Sequence, residues 1–499
     1  MRLFAAVVTA LSLFALSSCT TPTSDELVVG TSGAPASLDF TTTSGAAIPQ
    51  ALMGNIYETL VRIDDNGELQ PWLATSWEAS PTSYIFHLRE NVVFSNGQPF
   101  NAHTAKFSLD NVANWTNGLK SGMAPVAATT VVDTHTLKVD LHAPSQNWLW
   151  NMGTFVGAMM LPGADPNHPI GTGPYTLAEW KEGQYLSYAA NPRYWGTPPA
   201  QKHAKIQYFP DAVSSTNALA AGDIQVVWYM NSPELLDRLK KFAVHVGTTN
   251  GELLLSMNNK AAPFNDPAVR QAVFHAIDRK GIRDAAFAGT GTDTGGTPIP
   301  PTDPWFDPSL GPEFDPERAR EILQAAGYQT DGSDPRLKVV ITAPSLPYAQ
   351  STSEIVFSQL REVGFQMELR TAEFPAVWLA QVLKSKNYQM SMISHVEARD
   401  IPHIFGNPNY YIGYDSPRVQ ELLKAADTAA TSEESTELMK AAVRQIMLDA
   451  PALTIMNISN LVVADPRVQG INPNIVTDSL PLAGISLGAA GAAGNEPRS

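Results

Sequence analysis

Cysteine is almost missing from this chain: of 499 residues, Cys19 alone carries a thiol. An internal disulfide is thereby excluded, and the role of that one thiol has to be sought elsewhere. Basic residues are also scarce, with 33 Lys and Arg against 48 Asp and Glu for a formal charge of −15. No basic stripe occurs, which argues against nucleic acid, because phosphate binding needs a basic face. Beyond the N-terminus no apolar run approaches the length of a membrane helix. Catalytic signatures are lacking too. There is no Gly-x-Ser-x-Gly, His-Glu-x-x-His or phosphate-loop pattern, and the ten histidines are dispersed. The expectation is a protein that is not an enzyme, with no cofactor and no resident metal.

What the chain does have is an ordinary folding composition, 44% hydrophobic and 16% charged. Its length calls for two or three structural units. Met1-Arg2 followed by the apolar run Leu3 to Leu16 reads as a secretory signal, too short to span a bilayer comfortably. It ends in Leu16-Ser17-Ser18-Cys19 and resembles a bacterial lipoprotein signal, in which the cysteine is acylated and becomes the mature N-terminus. Ser18 departs mildly from the Gly or Ala usual before that cysteine. This implies an extracytoplasmic body held to the membrane by lipid on Cys19, with residues 20–26 as tether. The tail, 486–499, is small, polar and expected to fray.

Strands are expected at Leu27 to Gly30, Tyr84 to Arg89 and Leu137 to Leu141, and again at Leu253 to Met257, Leu337 to Thr342 and Tyr388 to His395. Leu52, Ile56 and Leu60 at spacing four predict an amphipathic helix over Ala51 to Arg62. Asp266-Pro267, Asp315-Pro316 and Ser416-Pro417 each put a cap and a first-turn proline before an apolar stripe. Thr431 with Glu434 makes a capping box. The alternation of strands and helices favours α/β lobes. Gly171 and Gly173 are expected to supply backbone angles closed to other residues, at a corner stiffened by Pro174.

Four segments in order carry a resemblance. They are Leu69-Gln70-Pro71-Trp72-Leu73-Ala74-Thr75-Ser76-Trp77 running on through Leu88-Arg89 to Val93-Phe94-Ser95-Asn96-Gly97-Gln98-Pro99-Phe100; Gly171-Thr172-Gly173-Pro174-Tyr175 with Asn191-Pro192-Arg193-Tyr194-Trp195-Gly196; Asp266-Pro267-Ala268-Val269-Arg270-Gln271-Ala272; and Asp315-Pro316-Glu317-Arg318-Ala319-Arg320. Together they resemble the bacterial extracellular solute-binding proteins of family 5, the peptide- and nickel-type binding proteins of ABC transporters. The resemblance implies a two-lobed periplasmic-binding-protein-like α/β fold (type II, cluster C-like) with an extra inserted domain. Its implied divisions are 1–19 signal, 27–47 with 171–248 and 466–485 as a discontinuous first lobe, 48–170 inserted, and 249–465 as second lobe. The implied function is capture of an oligopeptide or similar small polar solute in a closing cleft by a monomer. Delivery to permease and ATPase subunits follows, with a nickel or other metal chelate, an opine or an oligosaccharide as alternative ligands. A surface sensor or structural protein on the same fold is the alternative from another class.

Peptide-binding members similarly use a Trp-x-x-Asp-like stretch whose carboxylate meets the peptide's amino group. The matching segment here, Met392 to Pro402, lacks the tryptophan, and either Glu397 or Asp400 fills the acid position. Read from the residues alone, Tyr388 to Glu397 is a strand running to its carboxyl end, with Ile393, His395 and Glu397 on one face. A carboxylate in a poorly hydrated cleft attracts an ammonium strongly. His395, Glu397, Asp400 and His403 are of metal-ligating type, but their spacing matches no metal motif. Candidate aromatic contacts are Trp228, Tyr229, Tyr410 and Tyr411, with Trp228 and Tyr411 preferred.

Overall fold

Strand Glu26–Ser32 is an apolar run flanked by polar residues, and it lies inside a seven-stranded mixed sheet. In this computed structural model, residues 26–488 are described, apart from 44, 118 and 231. Cys19, the leader and the tail beyond residue 488 lie outside the described residues. The sheet runs in the order Ala243–Gly247, Asn460–Ala464, Val226–Val227, Glu26–Ser32, His203–Phe209, Tyr185–Ala190, Tyr175–Lys181. Leu27 and Val29 face one apolar core and Val28 another, so this strand is buried on both sides.

A four-stranded antiparallel sheet, Ala74–Ser80, Ser83–Leu88, Thr136–Leu141 and Val126–Asp133, packs into the same core as Leu27 and Val29. Its middle strands alternate strictly: Tyr84, Phe86 and Leu88 are buried, as are Leu137, Val139 and Leu141. The far body is a five-stranded sheet in the order Gln366–Ala372, Lys338–Pro344, Met390–His395, Glu252–Met257, Ala452–Asn457. Helix Pro347–Glu362 makes the crossover between two parallel strands, Lys338–Pro344 and Gln366–Ala372. This body has its own core of residues between Leu253 and Met456.

Proline-led helices form where local chemistry dictates. Asp266 accepts the Ala268 N–H at 2.9 Å and Asp315 that of Arg318 at 2.9 Å. Thr431 accepts the Glu434 N–H, while Glu434 reaches back one residue further than a capping box requires, to the Ala430 N–H. Ser416 makes no side-chain cap, and Pro417 alone sets that helix start.

Three expectations need correction. Ala51 to Arg62 is not one helix: the helix is Ala47–Leu52, and Gly54 then takes a left-handed φ of 73°. Leu52, Ile56 and Leu60 are buried all the same, delivered to the core by turns rather than by one helix face. Gly171 and Gly173 do not have left-handed φ values. Close approach explains them instead, since a Cβ on Gly171 would lie 1.9 Å from the Ile56 carbonyl oxygen and one on Gly173 would lie 2.5 Å from that of Asn55. The return from the far body also comes earlier than Pro466. Asn460–Ala464 already pairs with Val226–Val227 and Ala243–Gly247, because its apolar residues complete the seven-stranded sheet.

The chain therefore crosses between the bodies through 248–251 and 458–459, and these crossings bond to one another. Thr249 Oγ1 donates to the Ile458 carbonyl at 2.6 Å, and the Ile458 N–H donates to the Gly251 carbonyl at 2.7 Å.

Candidate functional site

Beside these crossings lies a cavity of ≈ 470 Å³ with walls from both bodies, within the usual range for small-molecule sites. Tyr229, Met230 and Leu461 come from the seven-stranded side, and Tyr348, Phe374, Trp378, Ile393 and Tyr410 from the five-stranded side. The lining is mainly apolar. Its polar end is formed by Ser394, His395 and Glu397, where strand Met390–His395 ends.

His395 is positioned from behind. Its Nε2 lies 2.9 Å from the Tyr411 hydroxyl, which in turn lies 2.5 Å from Ser256 Oγ. Burial, with His403 adding, holds the imidazole pKa down to about 4, so the ring is neutral at ordinary pH. The 3.8 Å between its Nδ1 and Asp400 is too long for a hydrogen bond.

The acids gather around this end. Glu397 is exposed and Asp400 partly buried, and side-chain ligand atoms of His395, Glu397 and Asp400 lie within 4.8 Å of one another. Burial raises the Asp400 pKa well above its ordinary value, and the charges of Glu397 and Asp303 raise it further. Burial likewise raises Glu252, against a hydrogen bond from Asn457, with Asp400 and Asp303 adding to the rise. Asp303 is pushed up to about 6 by burial, although Arg399 opposes the shift. Asp478, from the C-terminal segment, is pushed up to about 6 by burial and then by Glu397. One carboxylate oxygen each on Glu252, Asp303 and Asp400 is buried with no hydrogen-bond partner among the described residues. Against these acids stands Arg399, whose Nε lies 3.4 Å from Asp303.

Of the residues expected to form the site, His395, Glu397, Tyr410 and Tyr229 line the cavity. Asp400 is not on the wall, but its carboxylate lies within 4.8 Å of the ligand atoms of His395 and Glu397. Tyr411 does not reach the wall: it is fully buried and supports His395. Trp228 faces a separate cavity of ≈ 740 Å³ on the first body, which Asp478 also lines. His403 packs edge-on against the Tyr410 ring at 4.4 Å instead of joining the acids.

Sequence reasoning missed Glu252, Asp303, Arg399 and Asp478. Arg399 had a local signal, as a cation between two acids in the same loop. The others come from segments far apart in the chain, and nothing local marks them.

A second buried acid organises the first body. Glu58 Oε1 accepts from Trp72 Nε1 at 2.8 Å and from the Tyr194 hydroxyl at 3.2 Å. Its Oε2 accepts from Thr172 Oγ1 at 2.7 Å and from Trp195 Nε1 at 2.9 Å. Burial raises its pKa, and these four donors oppose the rise. Two indole N–H groups, which can only donate, and two hydroxyls thus satisfy both of its oxygens.

Comparison with known proteins gives the following. The family described as "Bacterial extracellular solute-binding proteins, family 5 Middle" matches residues 68–417. A nickel-binding periplasmic protein of Escherichia coli (strain K12) is 27% identical over 460 residues, covering 83% of this chain and 86% of that protein. The glutathione-binding protein GsiB of Escherichia coli O1:K1 / APEC is 28% identical over 337 residues, covering 64% of this chain and 65% of its own. The crystal structure of NikA from Brucella suis in complex with Fe(III)-EDTA superposes with a TM-score of 0.81 at 24% identity, over 92% of this chain and 99% of that one. At that identity the superposition speaks for the fold alone.

Proposed function

The chain belongs to the bacterial extracellular solute-binding proteins of family 5 and has their two-lobed fold; on that premise we propose that it captures a short peptide with a free amino terminus. The two bodies serve as lobes, the four-stranded sheet as the inserted domain, and the paired crossings as the hinge. The observation that carries this reading is the acidic end of the interlobe cavity. Glu397 lines that end; Asp400 feels the charges of Glu397 and Asp303, Glu252 those of Asp400 and Asp303, and Arg399 pairs with Asp303, while Asp478, on the separate cavity of the first body, feels Glu397. An excess of carboxylates in a poorly hydrated site favours an ammonium, and the apolar remainder of the wall suits side chains. The glutathione-binding relative supports a peptide-like solute. Released to an ABC permease, the ligand leaves unaltered.

Calorimetry with tri-leucine and its N-acetylated form tests the reading. The free peptide binds, acetylation weakens binding, and Glu397→Gln or Asp400→Asn costs about 1–3 kcal/mol. Equal affinity for the two peptides, or for all the variants, sinks it. The nickel-binding relative and the clustering of His395, Glu397 and Asp400 favour a metal chelate as the second reading. Binding of nickel–histidine without binding of tri-leucine selects it.

The Leu16-Ser17-Ser18-Cys19 sequence supports a lipid anchor on Cys19. Cys19→Ser is expected to move the protein from the membrane fraction to the soluble one. A variant still sedimenting with membranes removes the anchor.

A further inference from the structure

We infer that Arg399 is the positioning residue that clamps the two lobes over an occupied site, so that ligand capture and closure are one event. This rests on the peptide-capture reading and adds a residue and a mechanism to it. Arg399 sits in the loop between Glu397, which lines the cavity, and Asp400. Its φ of 55° is left-handed, a conformation that a long side chain keeps only where its surroundings fix it.

The guanidinium carbon lies 4.3 Å from the ring centre of Trp150 and 4.9 Å from that of Trp305. Asp303 and Trp305 belong to the same lobe as Arg399. Trp150 belongs to the other, on helix Gln146–Asn151, and its Nε1 donates to the Gly67 carbonyl at 3.1 Å. One planar cation is thus held by its own lobe and stacked on the opposite one, which a lysine ammonium cannot reproduce.

Further contacts follow the same seam. Asp427 of the second lobe accepts the Ser145 hydroxyl at 2.9 Å and the Asn147 N–H at 3.1 Å, and the Ala429 carbonyl accepts Gln146 Nε2 at 2.9 Å. These last contacts close the seam but have no connection to the acids. Arg399 has one, because an ammonium resting on Glu397 and Asp400 fixes the backbone on both sides of it. Occupancy is thereby passed to the seam through the loop itself.

The test compares wild type with Arg399→Met, Arg399→Lys and Trp150→Leu. Each is measured free and saturated with tri-leucine, by small-angle scattering and by hydrogen exchange at the Asn147 amide. The Met and Leu variants are expected to scatter as more open particles and to exchange Asn147 faster. They are also expected to bind tri-leucine about three- to thirtyfold more weakly, with Lys only partly restoring the wild-type behaviour. The double variant Arg399→Met/Trp150→Leu is expected to be no worse than Arg399→Met alone, since the arginine change already removes the Trp150 contact. Melting curves identify any variant that fails to fold, and the partner substitution on the other lobe then decides. Unchanged scattering and exchange in Arg399→Met and Trp150→Leu, or strictly additive effects, overturn the clamp, as does a wild type that stays open under every condition. A wild type that closes but ignores tri-leucine instead condemns the choice of ligand.

Discussion

At the scale of single residues, two buried carboxylate systems do different work. Glu58 is saturated by four donors drawn from around Trp72, Thr172 and Tyr194-Trp195, which belong to two of the four segments that carry the family resemblance. Those motifs are therefore the spokes of one polar hub, with Arg62 stacked on Trp72 and Arg89 on Trp195, each at 4.4 Å. Glu58→Ala would strand two indole N–H groups and two hydroxyls, so urea denaturation is expected to show a loss of about 3 kcal/mol or more. A loss under about 1 kcal/mol would mean that the hub contributes little. The cleft acids are the opposite case: oxygens on Glu252, Asp303 and Asp400 have no partner among the described residues. A folded chain keeps such groups where binding requires them.

Elements show where sequence reading succeeds and where it stops. Helices Pro267–Ala276 and Pro316–Ala325 were legible because the cap, the proline and the stripe are all local, and Pro417–Asp427 because of its proline and stripe alone, Ser416 making no side-chain cap. Strands Ser83–Leu88 and Thr136–Leu141 were legible because period-two burial is written in consecutive residues. The stretch from Ala51 was misread because Leu52, Ile56 and Leu60 have helical spacing although the helix ends at Leu52, just before Gly54. The site was half legible in the same sense. His395, Glu397 and Tyr410 follow from one strand and its loop, whereas Glu252 enters only because its strand pairs with Met390–His395 and Asp478 comes from a segment far along the chain. Tyr411 has the composition of a contact and the location of a core residue. Gly171 belongs to this scale as well. Gly171→Ala is expected to cost about 1–3 kcal/mol, read as a lowered melting midpoint, because the added methyl meets the Ile56 carbonyl and not because of backbone strain. An unchanged midpoint would show that the Asn55–Ile56 segment yields freely.

For the whole molecule, the acids make stability depend on pH in a defined direction. Asp303 and Asp478 titrate near 6 when folded, against an ordinary value of 3.8. At these two acids the folded state holds more protons than the unfolded chain between those values, so they lower stability as pH rises from about 4 through about 6. His395, held down to about 4 against an ordinary 6.5, opposes them with one proton against their two, and the net direction is downward. The melting temperature of the ligand-free protein is expected to drop across that window. A cationic ligand should restore it most at the upper end, where the acids carry charge, and adds stability by mass action. A free protein whose melting point instead rises steadily through the window would show that these acids are not held protonated by the fold.

The order of strands in the seven-stranded sheet has a consequence for biogenesis. Asn460–Ala464 lies between Val226–Val227 and Ala243–Gly247, so the first lobe's sheet cannot be completed until residue 464 has emerged. The second lobe, by contrast, has all five of its strands between residues 252 and 457. During synthesis or export, the half built from the N-terminus waits with an open edge while the half encoded later can finish first. The strand that completes that sheet, Asn460–Ala464, follows directly on the second crossing at 458–459.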